Sequence, residues 1–435
     1  MIYKKGMKTF RPSAIPSMTA KFTRLATACA ALLLASISVA AELRVNTDFE
    51  GGSARIESVD SDARVIRFMP GGDPERGWPC WWYLRVDGVA KDEKLTLDLA
   101  GSDRPARNNG KDTGKPLAAS WAMPVRAAFS TDGQAWQHTP PGRHNGARMA
   151  YEVTGTGGSL WIAWGPPFTP RDTDALIVAA EKALPAAKAF ELAKTRGGRP
   201  VRGLHVNAAE DAKPRGIWVQ ARQHAWESGA SWVARGFTEW LTNDDADARW
   251  LRAHAEVFIV PVMDVDNVAT GNGGKEANPH DHNRDWDAKP VYPEVAAAQR
   301  QLLELAATGR LDVFLDLHNP AANDLRPFFF VGPPDLLTET ARANRATFLA
   351  TARGRITDPL AVEEKPRETG PSYHPLWRQI SGQWVTDHGN PHTMAACLET
   401  SWNTPASTSD GYLAVGRELG LAVADFLRQQ VPPPR

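Results

Sequence analysis

The chain has 435 residues, of which 42% are hydrophobic and 23% charged, an ordinary globular composition long enough for two or three domains and a large core. Its 50 basic residues balance 50 acidic ones, which argues against a surface built to attract nucleic acid or anionic lipid. A small-molecule or peptide substrate fits that neutrality better.

The first segment reads as a leader. Lys21 and Arg24 precede the apolar run 25–39, and Ser38, Val39 and Ala40 offer small residues for cleavage before Ala41 or Glu42. Residues 1–40 are therefore expected to be a signal peptide, and the mature protein to be periplasmic or secreted. Met18 would start a leader of more usual length than Met1 does. The run is short and rich in Ala and Ser, and no other stretch approaches the roughly 20 apolar residues of a spanning helix, so no membrane span is expected in the mature chain. Of three cysteines, Cys29 lies in the leader, and Cys80 and Cys397 are expected to be packed and unpaired.

Residues 42–170 are strand-like, with apolar runs at 54–59, 81–86, 95–99, 127–130, 149–153 and 160–164 separated by Gly, Asp, Asn and Pro clusters. That spacing predicts an antiparallel β-sandwich. Thr131-Asp132-Gly133 has the chemistry of a hairpin tip, and 154–158 is a second turn. No cluster of ligand-type residues occurs here.

Beyond Pro170 strands alternate with helices. An apolar strand at 217–221 precedes a helix over 229–241, with Val233, Phe237, Trp240 and Leu241 at helical spacing. Residues 257–262 form a buried strand. Pro293 opens a helix with Val295, Ala298, Leu302 and Leu305 on one face; Gly309 ends it before the strand 311–317. Strands at 328–331 and 394–398 and an amphipathic helix carrying Tyr412, Val415, Leu419, Ala422 and Phe426 complete the series. Residues 171–430 thus read as an α/β sheet covered by helices.

The chemistry sits where these strands end. His224-x-x-Glu227 follows one strand, His318 closes a second and Glu399 a third, and open α/β sheets place their sites beyond the carboxyl ends of strands. Catalytic zinc takes three protein ligands of the His and carboxylate type and keeps one position open for water, a quota that His224, Glu227 and His318 fill. Glu399 is then the candidate to take a proton from that water and return it to a leaving group. Two alternatives stand beside this reading. His224 and Glu227 could be a surface pair at a helix start, and His280-Asp281-His282 is a rival ligand set. There is no His-Glu-x-x-His, no Gly-x-Ser-x-Gly elbow and no phosphate-cradling loop.

Six pieces in order resemble the zinc metallocarboxypeptidases of the carboxypeptidase A type, within them an exported bacterial member of the cytosolic-carboxypeptidase-like branch. They are Gly198-Arg199-Pro200-Val201; Gln223-His224-Ala225-Trp226-Glu227-Ser228 with Ser231-Trp232-Val233; Asp266-Asn267-Val268 with Gly271-Asn272-Gly273; Asn283-Arg284-Asp285-Trp286-Asp287; Asp316-Leu317-His318; and Leu398-Glu399-Thr400. The resemblance covers about residues 196–430 and implies a mixed sheet flanked by helices, with one zinc per chain on His224, Glu227 and His318. It further implies that Arg284, assisted by Asn283, clamps a substrate's C-terminal carboxylate, that Asp281 orients His224 from behind, and that Glu399 is the general base and acid. A salt bridge from Arg284 to Asp285 or Asp287 is the structural alternative.

One departure is visible: Lys275 stands where the family uses an arginine to polarise the scissile carbonyl, the alternative reading being a solvated loop lysine. Tyr373 and Trp377 both compete for the role of the tyrosine covering the bound residue, and Arg378 could meet an acidic substrate side chain. The implied activity is removal of a C-terminal amino acid from peptides with a free carboxylate. The alternatives are a zinc amidohydrolase for cell-wall peptides or N-acyl amino acids, and a catalytically inactive binding protein.

Overall fold

The computed structural model describes residues 41–207, 210–211 and 213–430, so the expected leader lies outside the described residues. The part before Pro170 forms two five-stranded sheets. One runs, all antiparallel, in the order Arg44–Asn46, Tyr83–Asp87, Leu160–Ala163, Ala128–Ser130, Gln137–His138. The other is ordered Arg143–Asn145, Arg148–Thr154, Lys94–Ala100, Val65–Met69, Arg55–Asp60. Period-two alternation turns Leu95, Leu97 and Leu99 inward opposite Val153, Tyr151 and Met149. Trp82 meets Phe68 at 5.3 Å and Tyr151 at 6.0 Å between the sheets.

All six strand expectations have a counterpart, and Thr131-Asp132-Gly133 lies in an antiparallel hairpin. One seam departs from the antiparallel expectation: Val65–Met69 pairs parallel with Lys94–Ala100. The chain between them passes through Tyr83–Asp87 of the other sheet, so it returns in the same direction.

Helix Pro170–Ala183 opens the second part with a Thr169/Asp172 capping box and Pro at its first turn. An eight-stranded sheet follows in the order Ala187–Lys194, Pro200–Asn207, Ala255–Val260, Arg215–Ala221, Leu311–His318, Met394–Glu399, Phe328–Val331, Arg367–Glu368. Its four middle strands are parallel, and antiparallel neighbours make the sheet mixed. Every residue of Leu311–His318 is buried, as a central strand covered on both faces requires.

Helix Ser228–Leu241, which begins directly after Glu227, packs on the last helix, Ser409–Arg428. A Cβ on Gly236 would strike the backbone of Leu413, and one on Gly416 would strike that of Val233. The two helices can approach this closely only because both positions are glycine, and that approach anchors the helix rooted at the ligand loop.

Candidate active site

Sheet geometry assembles the site. In the parallel ladder His318 is in register with Glu399, and Ala221 with Leu317, so three strand ends lie side by side. His224 and Glu227 then turn back over this edge. Arg222 holds the turn at a left-handed φ of 65°, its buried guanidinium donating to the carbonyls of Ala225 (2.7 Å) and Phe168 (3.1 Å).

His224, Glu227 and His318 are all buried, and their ligand atoms lie within 4.8 Å of one another. Both histidines point Nδ1 at one carboxylate, at 2.8 Å from His224 to Glu227 Oε1 and 2.6 Å from His318 to Glu227 Oε2. Their outer nitrogens face carboxylates too, His224 Nε2 at 3.2 Å from Asp281 and His318 Nε2 at 3.1 Å from Asp316. Two imidazoles between three carboxylates call for positive charge at the centre. Burial alone would lower the His318 pKa, yet Asp316 and Glu227 outweigh it and hold it well above the ordinary value. Burial would likewise raise Glu227, but His224 and His318 keep it well below the usual carboxylate range. The donor set fits a zinc ion: two nitrogens and a carboxylate converge, their outer partners fix the rings, and one side stays open.

The open side faces a cavity of 340 Å³. Glu399 lines it, with Oε2 buried and unpartnered. Burial, reinforced by the Glu227 charge and opposed by His318, pushes its pKa up to about 7. Arg284 also lines the cavity; Nη1 donates to the Asn283 carbonyl at 2.7 Å and Nε has no partner. Asp285 instead accepts the N–H groups of Val291 and Tyr292, and Asp287 that of Lys289, so neither makes the alternative salt bridge. Asn283 lines the cavity, but its amide is engaged: Nδ2 lies 3.3 Å from His318 Nε2, and Oδ1 accepts from Ser381 N at 3.0 Å.

Lys275 reaches the cavity from a loop braced by the segment 70–82 between two N-terminal strands. Asp73 accepts Gly273 N at 2.6 Å and Gly274 N at 3.3 Å, and Arg76 donates to the Glu276 carbonyl at 3.1 Å. Asp281 accepts Glu276 N at 3.0 Å from the other side, so the Lys275 loop and the His224 ring share one carboxylate.

The rival histidines lie elsewhere. His280 Nε2 meets the Arg284 carbonyl at 2.8 Å, and His282 sits between Gln223 and Glu294. Tyr373 lines the cavity and lies under Arg284. Trp377 does not; Arg378 stacks on it at 4.4 Å and pairs with Asp387 at 3.1 Å, away from the lining. Three contributors escaped the sequence reading. Asp316 was readable, because Asp-x-His on a strand puts both side chains on one face. Trp78 and Trp121, which the N-terminal part lends to the lining, had no such signal.

A triangle of two histidines and a glutamate that could hold a metal ion, an unpartnered buried carboxyl and a guanidinium without a carboxylate partner share one cavity. The family model described as zinc carboxypeptidase matches residues 174–307. Human cytosolic carboxypeptidase 4 is 31% identical over 141 residues, which are 29% of this chain and 13% of that protein. An uncharacterised protein of Zymomonas mobilis is 28% identical over 285 residues, 64% of this chain and 68% of its own. A metallo-carboxypeptidase from Burkholderia cenocepacia has the same fold, with TM-score 0.72 and 23% identity over 89% of this chain and 100% of that one. One from Pseudomonas aeruginosa, in complex with (2-guanidinoethylmercapto)succinic acid, gives TM-score 0.72 at 21% identity over 89% and 99%. Residues 174–307 are thus similar to a zinc carboxypeptidase domain, and the solved metallo-carboxypeptidases share the fold over most of the chain.

Proposed function

We propose that this protein is an exported zinc metallocarboxypeptidase that removes the C-terminal residue of peptides. The observation that carries this reading is Arg284, a buried guanidinium with an unpartnered Nε in the same cavity as the metal triangle and Glu399. A planar fork of that kind suits a terminal carboxylate, which it can bind through both oxygens. Export rests on the leader-like residues 1–40.

A zinc ion held by His224, Glu227 and His318 would acidify water and polarise the scissile carbonyl. Glu399 accepts the proton of the attacking water and later delivers it to the departing amine. Arg284 fixes the terminus so that the last peptide bond alone reaches Glu399. Lys275 donates to the oxygen that becomes negative, and Asp281 keeps His224 turned inward.

A peptide with a free C-terminus should be cleaved, and its amidated twin should not. Hydrogen bonds to charged groups contribute about 1.5–3 kcal/mol each, so Arg284→Ala should lower kcat/KM on the free peptide roughly 10²-fold. Efficient cleavage of the amide by wild type would refute the reading, and release from N-acyl amino acids without regard to peptide length would favour an amidohydrolase. Lys275→Ala should lower kcat by roughly 10- to 10²-fold, less than an oriented backbone donor because the ammonium is a flexible point charge. Unchanged kcat would return Lys275 to a surface lysine.

A further inference from the structure

The cavity has two walls of different chemistry. On one, Arg284 lies 5.9 Å from the Tyr373 ring, Tyr373 packs on Phe330 at 4.9 Å, and Phe330 is in register with Cys397. On the other, Trp78 meets Trp121 edge to face at 4.7 Å, and Trp121 meets Trp226 at 5.6 Å. Trp226 lies between His224 and Glu227, so this aromatic wall adjoins the metal triangle directly. Lys275 Nζ is 5.3 Å from the Trp78 ring.

A peptide can lie between these walls in one direction only. Its terminal carboxylate belongs at Arg284, and its scissile carbonyl belongs beside Glu399, the metal triangle and Lys275. The terminal side chain therefore stays on the Arg284 side. The preceding residue is bonded to the carbonyl carbon itself and continues past Lys275 toward the indoles.

Resting on the carboxypeptidase reading, we infer that Trp78 and Trp121 form a subsite for the residue before the C-terminal one, favouring an aromatic or large aliphatic side chain there. Both rings are half-buried, leaving surface for a ligand, and Trp121 packs edge to face between Trp78 and Trp226. Trp78 Nε1 donates to the Arg107 carbonyl at 2.7 Å, and the Trp121 carbonyl accepts Trp164 Nε1 at 2.8 Å. An apolar side chain gains by covering these rings. A cationic one is repelled, because the Lys275 ammonium already lies within cation–π range of Trp78. The N-terminal part thereby becomes a specificity element, beyond its role of bracing the Lys275 loop through Asp73 and Arg76.

The test is a set of N-acylated dipeptides sharing one C-terminal residue and carrying Phe, Leu, Gly or Lys before it. In wild type kcat/KM for Phe should exceed that for Gly by about 10-fold or more, with Lys at or below Gly. Trp121→Ala and Trp78→Ala should collapse the Phe-to-Gly ratio mainly through KM, while Trp121→Phe keeps most of it. Near-UV circular dichroism and metal content establish that each variant is folded. A wild-type ratio under about 2, or one unchanged in both alanine variants, overturns the subsite alone. If no free-terminus peptide is cleaved, the carboxypeptidase reading falls and the subsite with it.

Discussion

Glu399→Gln should retain the fold and the metal yet lose roughly 10²- to 10⁴-fold in kcat, the usual contribution of a positioned general base. The amide keeps the volume of a side chain that closes the parallel strand Met394–Glu399, so its packing is conserved. What it cannot do is accept a proton at the atom that is unpartnered in the cavity, Oε2. The same group should set the acid limb of the pH profile. Only ionised Glu399 acts as a base, so kcat/KM should rise with pH as it titrates. Its pKa of about 7 comes first from burial, and a dication at the adjacent triangle favours the charged form, so the midpoint should fall below 7 in the metal-loaded enzyme. Turnover within a few-fold of wild type for Glu399→Gln would remove Glu399 from the chemistry and leave it a packed strand end.

The strand ends were readable because central parallel strands are continuous apolar runs, and a His or Glu that stops such a run stands out: His318 and Glu399 were visible in this way. Their register, one directly beside the other, depends on tertiary pairing and was not. Edge strands were harder still. Ala187–Lys194 reads AKAFELAK, rich in helix formers, and becomes a strand only because it pairs with Pro200–Asn207 at the sheet margin. The choice between Tyr373 and Trp377 could not be made from periodicity, since both lie in a stretch of turns and one short 3-10 helix. Trp78 and Trp121 were hidden for a different reason. They come from a part of the chain with no ligand-type cluster, and an indole in a core and an indole in a cavity wall look the same in one dimension.

Metal loss should have the larger effect on the molecule as a whole, because it removes both activity and stability. Each imidazole of the triangle is pinned between two carboxylates, so a cation that replaces the protons there binds the folded state and not the unfolded chain. At free zinc 100-fold above Kd the linkage contributes about 2.7 kcal/mol. Zinc should therefore raise the Tm of chelator-treated wild type and restore its hydrolysis, and should do neither for His318→Ala. The pH dependence has a definite sign. The folded pKa of His318 is raised above its unfolded value, so in metal-free protein this pairing contributes stability that is full below the unfolded pKa and is lost as pH rises through the folded one. Zinc must displace that proton, so its affinity should weaken as pH falls through the same range, and calorimetry in buffers of different ionisation enthalpy should detect protons released on binding. Equal zinc content in wild type and His318→Ala would reject this triangle and turn attention to His280 and His282, which here bond to the Arg284 carbonyl and to Gln223 and Glu294.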